Sequence, residues 1–264
     1  VARFGTAQVR GLQENGMLAT AKHFPGHGDV SGDSHLTPLI LRIDRDRADS
    51  VELVPFRAAI REGVSAVMSA HIAFPALAGD STRPATLSQP LLEGLLQGEL
   101  GFKGLVVTDA LNMGAIVEAF GAEEAALLAL EAGADVLLQP EDPAAVVEAL
   151  ARAVADGRVP EARLDGSVRK ILEAKARVGL HRARTVDLDA VPLAVGGRHH
   201  ENLARRIAAR GITLVRDREG LVPLRLPPGG RVLSVAYTDD VDPFVGRAFN
   251  AALGAEVPGL ERVT

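Results

Sequence analysis

Short apolar runs that end in polar residues recur through the first half of the chain. In chain order they are MLATAKHF (17–24), VSAVMSAH (64–71), GLVVTD (104–109) and ADVLLQ (134–139). Near-continuous apolar runs of this kind are typical of strands that are buried on both faces of a parallel sheet. The first run ends in Lys22 and His23, and the next two end in His71 and Asp109. We therefore expect these polar side chains to meet at one edge of the sheet.

Helical patterns separate the apolar runs. Apolar residues at helical spacing, Gly stops and Ala/Leu/Glu-rich composition predict helices over residues 50–63, 88–101, 120–133, 141–157 and 161–178. The strand–helix alternation predicts an α/β fold of the (β/α)8 barrel type, with its active face at the strand ends. A complete barrel takes roughly 250 residues. The four units here lie within residues 17–157, so the pattern predicts half a barrel.

The last third of the chain has a different sequence pattern. Residues 181–198 resemble a linker, and residues 199–264 predict the beginning of a second α/β domain. In this part we predict helices over 198–211 and 242–255 and strands over 212–217 and 231–239. Residues 1–180 are then the partial barrel. Because the chain begins at Val1 without a signal-like stretch, we expect that a preceding part is missing.

Composition narrows the possible classes of protein. The formal charge of −5 provides no basic surface for nucleic acid, and the absence of Cys excludes disulfides and thiolate metal sites. No apolar run reaches the length of a membrane span. Aromatic residues make up 3% of the chain, so we expect a core of Ala, Val, Leu and Ile. We predict no cofactor, and the cellular location is open between the cytoplasm and export.

The loop AKHFPGHGDVSGDSHLTP (21–38) has the highest density of candidate catalytic residues. A long loop that is rich in His and Asp and follows a buried strand is costly to keep unless it binds something. In an extended Asp33–Ser34–His35 segment, the Asp and His side chains point the same way. The carboxylate then orients the imidazole and raises its basicity, which suits a general acid/base. Alternatively, His35 is a solvated loop residue.

Asp109 is the second candidate catalytic residue. It follows an apolar strand and precedes a turn with Asn112 and Gly114, so its carboxylate is expected at the mouth of the barrel. There it is a candidate nucleophile or metal ligand. The alternative is an N-cap of the next helix.

Taken together, AKHFPGHGD…DSH and VVTDALNMGA resemble the β-N-acetylglucosaminidase branch of glycoside hydrolase family three. The resemblance runs over residues 17–139, and RRIAARGITLVRDREGLVPL resembles the entry into the second domain of two-domain members. It implies that the visible strands are the fifth to eighth of a (β/α)8 barrel. It also implies that Asp109 is the nucleophile and that His35, backed by Asp33, is the acid/base.

The resemblance further implies that Lys22 and His23 hold sugar hydroxyls. His27, His71 and Met113 are additional candidates for substrate contacts. Four of these residues have a structural alternative. Lys22 is then a strand-end side chain and His23 a buried histidine, while His27 shapes its Gly-flanked loop and Met113 is a core residue. The expected partner is a carbohydrate, either a cell-wall fragment or a chitin oligomer, with peptidoglycan turnover as the favoured setting.

Several other functions stay open. Glucosidases of the same family lack the KHFPGHG…DSH loop, which favours an amino sugar, while a neutral His acid/base lets phosphate compete with water and makes a phosphorylase an alternative. A metal-dependent barrel hydrolase would draw its ligands from the His and Asp residues of the same strand ends and loop. The remaining alternative is an inactive or binding-only fragment.

Overall fold

A computed structural model describes residues 1–32, 39–79, 83–227, 229–236, 244, 246–257 and 260–263. The chain divides into two compact units, Val1–Val186 and Asp187–Thr264. The predicted acid/base pair, Asp33 and His35, lies outside the described residues. In the part of the chain that the structure describes, no helix has the length and apolar character needed to cross a membrane.

The first unit is an α/β structure with parallel sheets. Its strands are β1 (Thr20–Phe24), β2 (Leu39–Ile40), β3 (Ala66–Ser69), β4 (Ile72–Ala73) and β5 (Leu105–Val107). One sheet has the order β1-β3-β5 and the other pairs β2 with β4, and all of these pairings are parallel. The three predicted strands that end in Lys22/His23, His71 and Asp109 are therefore confirmed as neighbours in one sheet.

Helices connect and cover these strands. They are α1 (Ala2–Glu14), α2 (Arg45–Arg47), α3 (Leu53–Arg61), α4 (Pro75–Ala78), α5 (Gly114–Phe120), α6 (Ala122–Ala132), α7 (Pro143–Ala155) and α8 (Glu161–Arg177). Two further stretches have the wider π-helical hydrogen bonding, Ala48–Glu52 and Pro90–Glu99, and Ala85–Leu87 is a short 3-10 turn. Every helix predicted for this unit has a counterpart, and the helix predicted over 120–133 begins at Ala122 after Gly121, which has a φ of 76°.

The predicted strand over residues 134–139 is reduced to a single parallel bridge. Val136 pairs with Val107, and the N–H of Thr108 donates to the Val136 carbonyl at 3.0 Å. Leu138 N–H donates to the Thr108 side-chain oxygen at 2.9 Å instead of continuing a backbone ladder. The prediction of a full strand is therefore wrong in extent, because a hydroxyl takes the place of a backbone carbonyl.

The core lies between the sheet and its helices. It is mainly aliphatic, as the composition predicts, but Phe24 and Phe74 are fully buried within it. Phe24 meets Phe56 of α3 edge-on, with ring centroids 5.3 Å apart at 88°. Edge-to-face aromatic pairs of this kind add to the free energy of burial. The last residue of β1 is therefore anchored in the core immediately after His23.

Asp135 connects the sheet to α8. Its side chain is 1% exposed. It accepts hydrogen bonds from Val106 N–H at 3.0 Å, Ser167 Oγ at 2.7 Å and Lys170 Nζ at 2.9 Å. A buried carboxylate with this many donors is compensated for the loss of water. It joins Val106 of β5 to Ser167 and Lys170 of α8.

The second unit contains α9 (Val191–Ala194), α10 (Arg198–Gly211), α11 (Arg247–Glu256), β6 (Leu233–Val235) and β7 (Glu261–Val263), with a 3-10 turn at Leu188–Ala190. Strands β6 and β7 pair in parallel. The helix predicted over 198–211 is present, α11 overlaps the helix predicted over 242–255 from Arg247 onward, and β6 lies within the strand predicted over 231–239. The strand predicted over 212–217 is wrong, because those residues form neither a ladder nor a helix. Their β-branched side chains favour a strand, but a strand requires a partner.

We predict that Asp135→Ala lowers the free energy of unfolding by about 3 kcal/mol, because it leaves Lys170 and a buried N–H without their acceptor. Chemical denaturation monitored by circular dichroism measures this change. The control is Asp165→Ala, which removes an exposed carboxylate from α8, the helix that carries Lys170. The stability of this variant is expected to stay within about 0.5 kcal/mol of that of the parent. Equal stability of the two variants would contradict the role of Asp135.

Candidate active site

The carboxyl ends of β1, β3 and β5 bring three predicted site residues to one edge of the sheet. His23 lies inside β1, His71 follows the end of β3 by two residues, and Asp109 follows the end of β5 by two residues. The register between β1 and β3 shifts between Ala21 and Phe24. The regular ladder is therefore interrupted where His23 lies.

His23 and Asp109 face each other. His23 Nε2 is 3.7 Å from Asp109 Oδ2, and the two side chains are 24% and 17% exposed. This distance is too long for a hydrogen bond, although it allows a strong electrostatic interaction. Asp109 Oδ1 accepts from Ala110 N–H at 2.9 Å. One carboxylate oxygen is thus held by the backbone while the other is directed toward the imidazole.

The electrostatic environment lowers the pKa of His23 below its ordinary value. Burial of the imidazole is the largest cause, and the positive charge of Lys22 and the neighbouring His27 and His71 act in the same direction. The negative charge of Asp109 opposes them. The net effect is to favour the neutral form of the His23 imidazole beside Asp109.

A cleft of about 890 Å³ opens beside this pair. Lys22, His23 and His27 contribute to its lining. The imidazole rings of His23 and His27 lie 5.4 Å apart between centroids. Asp109 is not a lining residue of the cleft, so His23 is the side chain that both borders the cleft and faces the carboxylate.

A second set of charged side chains in the cleft was not predicted from the sequence. Arg47 Nη2 donates to Glu52 Oε1 at 2.9 Å and to Asp29 Oδ2 at 3.2 Å. Gly26 lies against Glu52, since a Cβ there would be 2.8 Å from Glu52 Cγ. Arg47 and Glu52 belong to a helical stretch whose hydrophobic pattern predicts an ordinary amphipathic surface helix. Only their position beside the loop makes them lining residues.

His71 and Met113 are both buried. His71 is 2% exposed, with Nδ1 2.8 Å from Thr86 Oγ1 and Nε2 2.9 Å from the Ala110 carbonyl. Met113 is 7% exposed and stands immediately before α5. Their assignment to substrate contacts stays a prediction. Within the described ranges, no three His, Cys, Asp or Glu side chains are grouped to hold a metal ion.

The family of the chain follows from a comparison with known sequences. The model of the glycosyl hydrolase family 3 N-terminal domain matches residues 1–174. The chain belongs to glycosyl hydrolase family 3. A curated relative, the beta-N-acetylglucosaminidase/beta-glucosidase of Cellulomonas fimi, is 33% identical over 241 residues, which is 88% of this chain and 43% of that protein. The chain therefore spans less than half the length of this relative.

Solved structures agree with the family. A family 3 beta-N-acetylglucosaminidase from a Paenibacillus species is 39% identical, with a TM-score of 0.88 over 100% of this chain and 51% of that one. A beta-glucoside phosphorylase bound to 2FGlc is 29% identical, with a TM-score of 0.90 over 99% of this chain and 49% of that one. The resemblance noted from the two sequence motifs is thus confirmed at the level of the family.

We predict that Asp109→Asn lowers the pKa of His23 further and that Lys22→Gln raises it, because the first change removes a stabilising anion and the second a repelling cation. NMR titration of the imidazole nitrogens measures both shifts. The pKa of His23 is lower in the folded protein than in the unfolded chain. The contribution of His23 to the free energy of unfolding is therefore fully present at a pH above the unfolded-state pKa, and it is lost as the pH falls through the folded-state pKa. Shifts of the same sign in both variants would contradict this electrostatic arrangement.

Proposed function

We propose that this protein is a retaining glycoside hydrolase that releases terminal β-linked N-acetylglucosamine. The observation that carries the proposal is the half-buried Asp109 carboxylate at the end of β5, facing a His23 imidazole that borders the cleft. The names of the family relatives from Cellulomonas and Paenibacillus support the choice of an amino sugar. The KHFPGHG…DSH sequence supports it independently.

In this proposal, residues 1–180 are the carboxyl-terminal half of a (β/α)8 barrel, with β1, β3, β5 and the 134–139 bridge as strands five to eight. Residues 181–198 are the linker and residues 199–264 begin a second α/β domain. The parallel order β1-β3-β5 supports the barrel assignment. Side chains at the carboxyl ends of barrel strands are where catalysis takes place in this architecture.

The reaction proceeds in two displacements. An oxygen of Asp109 attacks the anomeric carbon while the bond to the leaving oxygen breaks, and the protonated His35 imidazolium gives that oxygen its proton and becomes neutral. His35, oriented by Asp33, then takes a proton from water, and the resulting hydroxide attacks the anomeric carbon and releases Asp109. Two inversions give net retention. We assign the attack to Asp109 Oδ2, since Oδ1 is held by the Ala110 N–H.

The neutral His23 has a defined part in this scheme. It leaves the negative charge of Asp109 intact, so the carboxylate both attacks and stabilises the oxocarbenium-like transition state. His23 also borders the cleft together with Lys22 and His27. These three side chains present donors to sugar hydroxyls, which are the contacts that fix the orientation of a carbohydrate.

A phosphorylase is the second candidate function. The structural similarity to a beta-glucoside phosphorylase favours it. In the second displacement, phosphate would replace water and the product would be a sugar 1-phosphate. A His acid/base favours this outcome more than a carboxylate would, because it adds no negative charge that repels an incoming anion.

We predict that Asp109→Ala lowers kcat for a nitrophenyl N-acetylglucosaminide at least about 1,000-fold in the full-length protein, because the covalent step is lost. A fluorinated N-acetylglucosaminide should label Asp109 in the parent enzyme, with the site read by peptide mass spectrometry. Asp165→Ala is the matched carboxylate control and should retain parental activity. A label on another residue would show that the nucleophile is misassigned.

We predict N-acetylglucosamine as the product from the same nitrophenyl substrate, both with and without inorganic phosphate. Chromatography of the reaction mixture separates the free sugar from its 1-phosphate. Accumulation of the 1-phosphate when phosphate is present would identify the protein as a phosphorylase. Release of glucose from the glucoside at a higher kcat/KM than N-acetylglucosamine from its glycoside would overturn the amino-sugar assignment.

A further inference from the structure

His71 is a buried imidazole that the proposed reaction does not use. It lies between the end of β3 and the beginning of β4, and only 2% of its surface is exposed. Nδ1 is 2.8 Å from Thr86 Oγ1, and Nε2 is 2.9 Å from the carbonyl oxygen of Ala110. Both ring nitrogens are therefore directed at specific neighbours, one on each side.

These neighbours determine the position of the proton. A carbonyl oxygen only accepts, so Nε2 carries the proton in its contact with Ala110. Nδ1 faces the Thr86 hydroxyl, which also donates to the Ala70 carbonyl at 3.1 Å. The same hydroxyl lies 2.8 Å from Ser69 Oγ. Polar contacts thus connect Ser69 and Thr86, through His71, to Ala110.

Ala110 connects this network to the predicted nucleophile. Its N–H donates to Asp109 Oδ1 at 2.9 Å, while its carbonyl receives the His71 proton. On the other side, Leu111 N–H donates to the Leu138 carbonyl at 2.8 Å. The Ala110 carbonyl also accepts from Met113 N–H at 3.2 Å. The turn that carries Asp109 is therefore held by backbone hydrogen bonds and by the His71 side chain. Removing the His71 contact would release one of these restraints.

We propose that His71 is a positioning residue for Asp109, and that the contact with Thr86 orients the imidazole so that Nε2 holds the Ala110 carbonyl. The inference rests on the proposed role of Asp109 as nucleophile. It also gives His71 a different role from the substrate contact predicted from the sequence. A buried imidazole with a contact at each ring nitrogen restrains the turn by a hydrogen bond that a mobile side chain would not maintain.

The matched variants Thr86→Val and Thr86→Ser test this proposal in the full-length enzyme. Valine keeps the shape of threonine and removes the hydroxyl that faces His71 Nδ1, whereas serine keeps a hydroxyl at this position. We expect Thr86→Val to lower kcat about 10- to 100-fold with KM unchanged within about twofold, because small misplacements of a reacting group have effects of this size. Thr86→Ser should retain a kcat close to that of the parent.

The pKa of His23 is a second readout that needs no substrate. The Asp109 charge raises that pKa, so a carboxylate that moves away from His23 lets the pKa fall. Threonine, valine and serine are uncharged, so these substitutions do not alter the field at His23 directly. NMR titration should give a lower His23 pKa in Thr86→Val and the parental value in Thr86→Ser.

Ser167→Ala controls for the general loss of a buried hydroxyl. Like Thr86, Ser167 is buried, but its hydroxyl donates to Asp135 and not to a neighbour of His71. It should lose stability while keeping the parental kcat and His23 pKa. Parental kcat or a parental His23 pKa in Thr86→Val would overturn the positioning role even if Asp109→Ala is inactive. If the parent cleaves no glycoside, the proposed function fails, and the His23 titration alone decides whether His71 positions Asp109.

Discussion

The parallel pairing of β1, β3 and β5 is the constraint on which the rest of the site depends. Strands that run in the same direction end at the same edge, so residues far apart in the chain become neighbours there. The register that pairs Val67 with Ala21 on one side and Val106 on the other brings His23 within 3.7 Å of Asp109. Without that register, the three polar strand ends would be unrelated surface groups.

The two carboxylates near β5, Asp109 and Asp135, differ in burial and in their hydrogen-bond partners. Asp109 accepts from a backbone N–H and lies next to an imidazole whose pKa is lowered by burial and that borders the cleft. Asp135, which accepts from Val106 of β5, is buried and compensated by three donors. The two carboxylates therefore differ in their surroundings: Asp135 joins a helix to the sheet, while Asp109 keeps one oxygen without a hydrogen-bond donor at hydrogen-bond distance among the described contacts.

Much of this arrangement was predictable from the chain alone, but some particulars were not. The apolar runs located the strands, and their final residues identified His23, His71 and Asp109 as candidates. The run over 134–139 has the same pattern, but Thr108 accepts a hydrogen bond that a longer ladder would use, and only one bridge forms. Residues 212–217 have strand propensity without a strand, because pairing depends on a partner that local sequence does not specify.

By itself, the sequence determined the alternation of strands and helices, the family, and the identity of the residues gathered at the strand ends. These properties follow from hydrophobic period and from motifs that are local along the chain. Only the tertiary structure decided what those residues do to one another: that burial lowers the pKa of His23 beside Asp109, that Arg47 and Glu52 border the cleft, and that Thr86 reaches His71. Distances and burial between segments far apart in sequence set these interactions, and no local pattern encodes them.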